Sequence, residues 1–407
     1  MPEPAVRHRL RPLTAALLLP LAAAAAPDLI APRWVLIPQV DVAATRDSNV
    51  YRTPDQERDD LFIEPELSLR YASSTETNRW HLRAAGFVAG RAYADEDTQD
   101  FETFGQEVEL CYGGDGPARL ALLQGFRRVE DLDRHTPDSA YIRRTPELLQ
   151  DINSQSARRD LLDVGVALEQ RLTDKSDALF VYQFDAVDYD QAGLLDLLGH
   201  LAQAELAHQL TDRSDLYTDL RYAWQEQTDG PGSAEVIKGR VGLRSRRSDA
   251  LLGKVGLGLQ RYAWDGVAGD DAEESVSVDL ALDWQASDKT KVYGGLNNGS
   301  QLSSLYEQNA LDFITTWIGL THAWTTCTTL GLRASYRRDE YLDPVADGDQ
   351  QRTRRDQRYQ LAARADYRAP SRPWGVYAQV AQEYVVSTLD SVEYDDNRLT
   401  LGAQVAY

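Results

Sequence analysis

The chain has 407 residues, a formal net charge of −21, 43% hydrophobic residues, 8 Trp, 20 Tyr and only two Cys. That acidity argues against a nucleic-acid binder, which needs a basic footprint. Cys111 and Cys327 are too few for a disulfide-stapled scaffold and lack a Cys-x-x-Cys spacing. After residue 30 no apolar run reaches the roughly 18 residues of a membrane-crossing helix, which leaves strands as the only means of spanning a bilayer.

The N-terminus has the pattern of an export signal. Arg7, His8, Arg9 and Arg11 form a positive n-region, and residues 13–26 form an apolar stretch ending in an Ala-x-Ala site. About 14 residues are too few to cross a membrane as a helix, and no Cys follows to carry a lipid. The reading is a signal peptide at 1–26, cleaved to leave 27–407 as one domain.

From Trp34 onward one unit repeats: roughly 10–14 residues of alternating polarity, then a polar reversal. Trp34–Ala44 opens the series. Pro38 cannot donate to a β-ladder, which predicts a bulge there. In the next run Leu61, Ile63, Leu67, Leu69 and Tyr71 share one parity, opposed by Glu64, Glu66, Ser68 and Arg70. The same opposition recurs at Val108 and Leu110 against Glu107 and Glu109, and at Leu216, Leu220 and Tyr222 against Asp219 and Arg221. It continues at Val276, Leu280 and Leu282 against Asp279 and Asp283, and ends at Leu399 and Leu401 against Thr400. Successive side chains of a strand point to opposite faces, so each run has one apolar and one polar face.

Short reversals ("LTDKSD" at 172–177, "LTDRSD" at 210–215, "ASDKT" at 286–290, "APSRP" at 369–373) alternate with longer acidic connections, among them 130–159, 302–311 and 342–357. This asymmetry predicts an all-β fold, a transmembrane antiparallel barrel of about 18 strands with short periplasmic turns and longer extracellular loops. A β-sandwich also alternates, but soluble strands cluster near 5–6 residues, whereas a tilted membrane strand needs about 9–11. Tyr71, Trp80, Tyr112, Trp284, Trp324, Tyr367, Trp374 and Tyr407 fall beside short turns. Trp224, Tyr262, Trp264, Tyr341 and Tyr384 fall near long connections. Two such rows predict interfacial girdles.

Parity assigns a lumen of mixed sign: Arg70, Arg83, Glu107, Glu109, Arg119, Arg221, Lys238, Arg240, Arg244, Lys254, Asp279, Asp283, Arg333 and Arg364 face inward. Barrels of 16–18 strands are wide enough for water. Lys238, Arg240, Arg244 and Lys254 read either as a basic ladder for anionic solute or as cations paired across strands with Asp219, Asp279 and Asp283. The longest connection, 130–159, carries Asp131, Asp133, Arg134, Arg143, Arg144 and Glu147 and is the candidate constriction loop. The other acidic loops, such as "DEDTQD" at 95–100 and "EYDD" at 393–396, read as solvated tips or as carboxylates bridged by divalent cations to lipopolysaccharide.

No metal-ligand spacing, cofactor motif or phosphate loop is present, and none of the six His sits in a His-Glu-x-x-His or Gly-x-Ser-x-Gly context. His135 beside Asp131 and Asp133 is the sole arrangement that could suggest a surface hydrolase, so no enzyme is expected.

The segment "DSNVYRTPDQERDDLFIEPELSLRY" at 47–71, following the opening strand, resembles the putative β-barrel porin 2 family through Asp47, Asn49, Val50, Tyr51, Arg52 and Pro65. The resemblance implies a porin-like barrel in the outer membrane of a Gram-negative bacterium, sometimes tied to exopolysaccharide export; it carries no catalytic residues. The expected partners are outer-membrane lipid, lipopolysaccharide and periplasmic export components, with no nucleic acid. The expected activity is passive conduction of hydrophilic solutes or an exported polysaccharide. The alternative is a non-conducting structural barrel of an envelope complex.

Overall fold

A computed structural model describes residues 34–406 apart from 54–56, 74–79, 114–115, 130–156, 191–193, 229, 231, 246–250, 266–270, 305–309 and 348–349. The export signal at 1–26 therefore lies outside the described residues. Eighteen antiparallel strands form one sheet. They are β1 (Trp34–Asp47), β2 (Asp60–Ser73), β3 (Trp80–Tyr93), β4 (Phe101–Tyr112), β5 (Ala118–Val129), β6 (Arg159–Thr173), β7 (Ser176–Tyr189), β8 (Leu197–Thr211) and β9 (Ser214–Gln227). The series continues with β10 (Ser233–Ser245), β11 (Leu251–Asp265), β12 (Asp271–Ser287), β13 (Thr290–Leu302), β14 (Ala310–Ala323), β15 (Thr328–Asp347), β16 (Gln350–Arg368), β17 (Trp374–Ser387) and β18 (Tyr394–Ala406).

Each strand pairs with its sequence neighbours, and β1 closes on β18 from Gln39↔Ala406 to Asp47↔Arg398. Closure removes the sheet edges that hydrocarbon would leave unsatisfied. Pro38 causes no bulge: the β1–β2 register runs through Pro38↔Leu69 unbroken, and β1 meets β18 only from Gln39. The missing donor sits where the closing strand has already ended.

Three of the short turns share one device. At β6–β7, β8–β9 and β12–β13 the register slips by one residue just before the turn. In each, the hydroxyl of Thr173, Thr211 or Ser287 accepts the N–H two residues on, at 3.2, 3.2 and 3.3 Å. A two-residue turn without positive φ would splay the strands, and the bulge restores their twist. The Asp-Lys and Asp-Arg dipeptides can therefore close these hairpins without glycine.

The connection expected at 342–357 is instead strand. β15 and β16, 20 and 19 residues long, continue as a ladder to Asp347↔Gln350.

Outward faces carry Leu67, Leu220, Val241, Leu257, Leu259, Ile318, Leu361, Val380 and Leu401, each about half exposed or more. A belt of this kind would be intolerable in water over so large an area and is what acyl chains require. Aromatic rings border it near the short turns, where Trp80 lies 4.6 Å from Tyr112 and Tyr367 5.9 Å from Trp374. Near the long connections the expected row needs correction. Trp224 and Tyr384 face outward, but Tyr262 (1% exposed), Trp264 and Tyr341 are buried inside the barrel. The parity of Tyr262 and Trp264 is opposite to that of Leu257 and Leu259 on the same strand. The upper row is built instead by Tyr182, Phe184 and Trp224 around His200, and by Tyr336, Tyr359 and Tyr384.

Candidate pore and its constriction

Most of the inward candidates are matched with opposite charge across the strands. Arg83 stands opposite Glu109 across β3–β4, with Glu107 two residues along the same face. Arg119 lies 3.7 Å from Glu169. On β9–β12 a network is centred on Asp219, which is bonded to Arg240 and to Arg221 (3.1 Å). Arg240 also reaches Asp279 at 3.4 Å, and Lys254 reaches the same carboxylate at 3.2 Å. Arg244 bridges Glu205 at 2.5 Å and Asp215 at 3.2 Å, and Asp283 meets Lys291 at 2.7 Å. The four cations that read as a basic ladder are therefore largely tied into ion pairs; Lys238 points its ammonium at the Asn298 carbonyl, 3.5 Å away. Arg70 and Arg333 are exposed to the lumen, as is Arg83.

The candidate constriction loop lies outside the described residues over 130–156, so Asp131, Asp133, Arg134, Arg143, Arg144, Glu147 and His135 have no described position. The β12–β13 ladder stops at Asp279↔Asn297, although β12 follows β11 up to Asp271↔Trp264 and β13 follows β14 up to Leu302↔Ala310. Above Asn297 β13 parts from β12 and turns into the barrel, while β14 stays paired with β15 up to Leu311↔Tyr341.

Alternation explains the departure. The outward positions of β13 run Val292, Gly294, Leu296, then Asn298 and Ser300, and Asp312 of β14 stands opposite Ser300. Three polar groups facing hydrocarbon would each cost several kcal/mol (~2–7). Tilting inward turns that face onto the inner surface of β8–β11. There Gln260 donates to Ser300 at 3.0 Å and Ser300 donates to Asp312. Asn298 spans the split: its Oδ1 accepts the Val278 N–H at 2.7 Å and its Nδ2 donates to the Val276 carbonyl at 2.6 Å, replacing the lost strand partner.

The end of β13 and the residues just after it are anchored to β9 and to the segment before β8. The Leu302 N–H donates to Gln225 Oε1 at 2.7 Å, Gln227 Nε2 donates to the Ser303 carbonyl at 3.0 Å, and the Leu195 N–H donates to the Ser304 carbonyl at 2.7 Å. Leu302 and Ala310 join Leu161, Leu197, Leu201, Val236, Tyr262 and Trp264 in an apolar cluster inside the barrel. One side of the upper lumen is thus filled.

The opposite side stays open as a cavity of about 590 Å³ lined by β14–β18 and β1–β3, including Arg91, Arg333, Arg358, Arg364, Tyr377 and Arg398. Apart from the exposed Arg333, its cations are clamped to the wall: Arg91 to Glu64 at 2.9 Å, Arg358 to Glu383 at 2.6 Å, Arg398 to Asp396 at 2.7 Å and Arg364 to Asp366 at 2.8 Å. Tyr377 lies flat over Gly402, where a β-carbon would sit 2.2 Å from the ring, and its hydroxyl donates to Asp41 at 2.8 Å. Arg364 stacks on that ring at 3.9 Å. Ion pairing and ring-on-glycine packing keep long side chains against the wall and leave the space between free for water. Among the described residues no group of three or more His, Cys, Asp or Glu is placed to hold a metal ion.

No curated protein matches the chain. Several solved structures are similar: the outer membrane protein OpdK of Pseudomonas aeruginosa is 12% identical, with 92% of this chain and 99% of that one aligned at a TM-score of 0.48. A BenF-like porin of Pseudomonas fluorescens is 10% identical over 92% and 99% at a TM-score of 0.49, and OccK2 of Pseudomonas aeruginosa 11% over 92% and 98% at 0.48. A family model also matches, over residues 233–407; the 47–71 segment lies outside that match. The matching model is that of putative beta-barrel porin 2, and the matched residues run from β10 to the C-terminus of this 18-stranded sheet.

Proposed function

We propose that the protein is an outer-membrane porin of a Gram-negative bacterium, a passive conduit for hydrophilic solutes through the open side of its lumen. The observation that carries this reading is the charge-lined cavity of about 590 Å³ beside the folded-in hairpin. A barrel of this strand number encloses water unless something fills it, and here the filling occupies one side. Passage by diffusion needs no catalytic group, which agrees with a lumen of ion pairs and clamped rings.

Single-channel recording of the refolded mature chain in planar bilayers tests the reading. The expected result is stepwise, ohmic conductance. Arg333→Glu, which reverses an exposed lumen charge without breaking a described ion pair, should shift the reversal potential in a salt gradient toward cations. A barrel silent at every voltage would reject the conduit.

The folded-in hairpin favours a second reading, a non-conducting barrel that anchors an envelope or exopolysaccharide-secretion complex. Polymer passage would demand that the hairpin withdraw. Silence of the whole chain, combined with retention of periplasmic partners on purification, would select this alternative.

A further inference from the structure

The chain just after β1, residues 48–53, folds back onto the mouth of the open cavity. Ser48 fastens it to β18: the Ser48 N–H donates to the Asn397 carbonyl at 3.0 Å, and the Asn397 N–H donates to the Ser48 hydroxyl at 2.7 Å. Asn49, 1% exposed, is the centre of the turn. Its N–H donates to Asp47 at 3.0 Å, and its Nδ2 donates to the Thr53 and Asp395 carbonyls at 3.1 and 3.0 Å. Its Oδ1 accepts the Thr53 N–H at 3.3 Å. On the other side Tyr51 is tied to Glu96. These bonds hold Arg52 at a φ of 50°, in the left-handed region that residues other than glycine rarely enter. Strain of that kind persists only where the surroundings impose it.

The turn aims Arg52 inward. Its side chain is 13% exposed, its Nε lies 4.0 Å from Asp396, and its charge also acts on Glu383. Both carboxylates line the cavity, and each has a closer partner: Arg398 for Asp396 at 2.7 Å, Arg358 for Glu383 at 2.6 Å. Among the described residues no hydrogen bond holds the Arg52 guanidinium. It is fixed at the backbone and loose at the tip.

The cluster beneath it is short of one positive charge. Among the described residues Arg52, Arg358 and Arg398 face four buried carboxylates, Asp47, Asp60, Glu383 and Asp396. Asp60, opposite Asp47 across β1–β2, accepts the N–H groups of Leu61, Asp95 and Glu96. Glu383 accepts from Arg358, Gln360 and Tyr394, and Asp47 from Asn49, with Arg398 3.1 Å away. Asp396 is the least satisfied, because its Oδ1 is buried without a donor. A proton therefore goes there first. Asp396 stands above the membrane belt, flanked by the outward Asp395 and Asn397; Leu399 is the first apolar outward residue of β18. Burial, with Asp47 adding to it, pushes its carboxyl up to about 7 against the pull of Arg398 and Arg52.

We propose that Arg52 is a proton-operated gate at the extracellular end of the open side, closed while its guanidinium rests on ionised Asp396 and open once that carboxyl is neutral. Such a gate presupposes the conduit proposed above. As pH falls, Asp396 takes up a proton, Arg52 loses its counter-charge and its tip turns to water. As pH rises, the guanidinium is drawn back across the entrance. The turn itself stays, because the bonds of Ser48, Asn49 and Tyr51 do not use the Asp396 carboxyl.

The experiment is single-channel recording of the refolded mature chain in planar bilayers, with pH stepped from about 8 to about 6, either side of the Asp396 value. The closed-to-open ratio should fall about tenfold per pH unit below that value, as the ionised fraction does. D396N, which keeps the shape and removes the titration, should show the acid behaviour throughout. R52G keeps the left-handed turn, which glycine adopts without strain, and should stay open at both pH values. Heat-modifiable migration on gels confirms that each variant is folded. Wild-type current that ignores pH, or a pH response that survives R52G, overturns the gate and leaves the conduit standing. Silence of every variant at every pH overturns both. Should D396N fail to fold, the wild-type pH step and its loss in R52G decide alone.

Discussion

Asp219 is completely enclosed, holding Arg240 and Arg221, and Arg240 itself is nearly as buried. Removing one partner of a buried pair costs about 3–5 kcal/mol, and without the Asp219 charge Arg240 keeps only the longer 3.4 Å contact to Asp279. Asp219→Asn should therefore lower the barrel's unfolding free energy by about 3 kcal/mol or more, read from urea unfolding in detergent. Asp283→Asn, whose pair with Lys291 is two-fifths exposed, should cost less than about 1 kcal/mol. Equal effects would show that burial does not set the value of these pairs. At the extracellular surface Glu96 ties the loop after β1 to the loop after β3, accepting from Tyr51 at 2.6 Å and from Arg58 at 2.6 Å. Those two hydrogen bonds, with the Tyr51 bond first, hold the Glu96 carboxyl below its ordinary value of 4.5. A depressed carboxyl stabilises the folded form above its unfolded pKa, and that contribution is lost as pH falls through the folded value. Proteolysis within 48–59 should therefore be slow at pH 7 and speed up only below about pH 4.5. Glu96→Gln should show the faster cleavage at every pH.

At the scale of the element, the β13–β14 hairpin shows what patterning conveyed and where it stopped. Strand number and closure of β1 on β18 were legible, because a period of two is imposed locally by the backbone. The inward fold was not read, although its signal is present: the outward face passes from Val292 and Leu296 to Asn298 and Ser300 with Asp312 alongside. A polar run on a lipid face can rise above the membrane or turn away from it. Only the partners on β9–β11, far off in sequence, decide which. Tyr262 and Trp264 were misplaced for a related reason. Nearness to a loop suggested a girdle, while their parity, opposite to Leu257 and Leu259, already pointed to the lumen. The hairpin makes its own prediction. Leu302 is 1% exposed and anchors the tip in the internal cluster. A buried Leu→Ala change costs about 2–5 kcal/mol, enough to shift a docked–undocked equilibrium by more than tenfold. Leu302→Ala should therefore raise mean conductance and add current fluctuations, while heat-modifiable folding is retained. Unchanged current would mean that the tip does not limit the pore.

Over the whole molecule the wall has two unlike seams. The β1–β18 seam joins the chain's ends and carries nine register pairs, from Gln39↔Ala406 to Asp47↔Arg398, with side-chain support from Thr45 to Thr400 at 2.9 Å and Arg398 to Asp47 at 3.1 Å. The β12–β13 seam is complete near the short turns and replaced above Asn297 by the side chain of Asn298. In a closed sheet every strand depends on two neighbours, so an ordinary ladder bond removed anywhere is felt around the ring. A seam already interrupted has less to lose. Thr400 lies in the middle of β18, and proline there would remove a donor and disturb the closing pairs with β1 and β17. Asn298→Ala removes two bonds at the top of a seam that has already parted. Folding into detergent micelles, followed by the heat-modifiable band, should then show Thr400→Pro failing to close. Asn298→Ala should close fully but exchange amide hydrogens faster at Val278. If Asn298→Ala instead prevented closure, the split would be a hinge on which assembly of the whole barrel depends, and the β13–β14 tip could not be treated as a separable constriction.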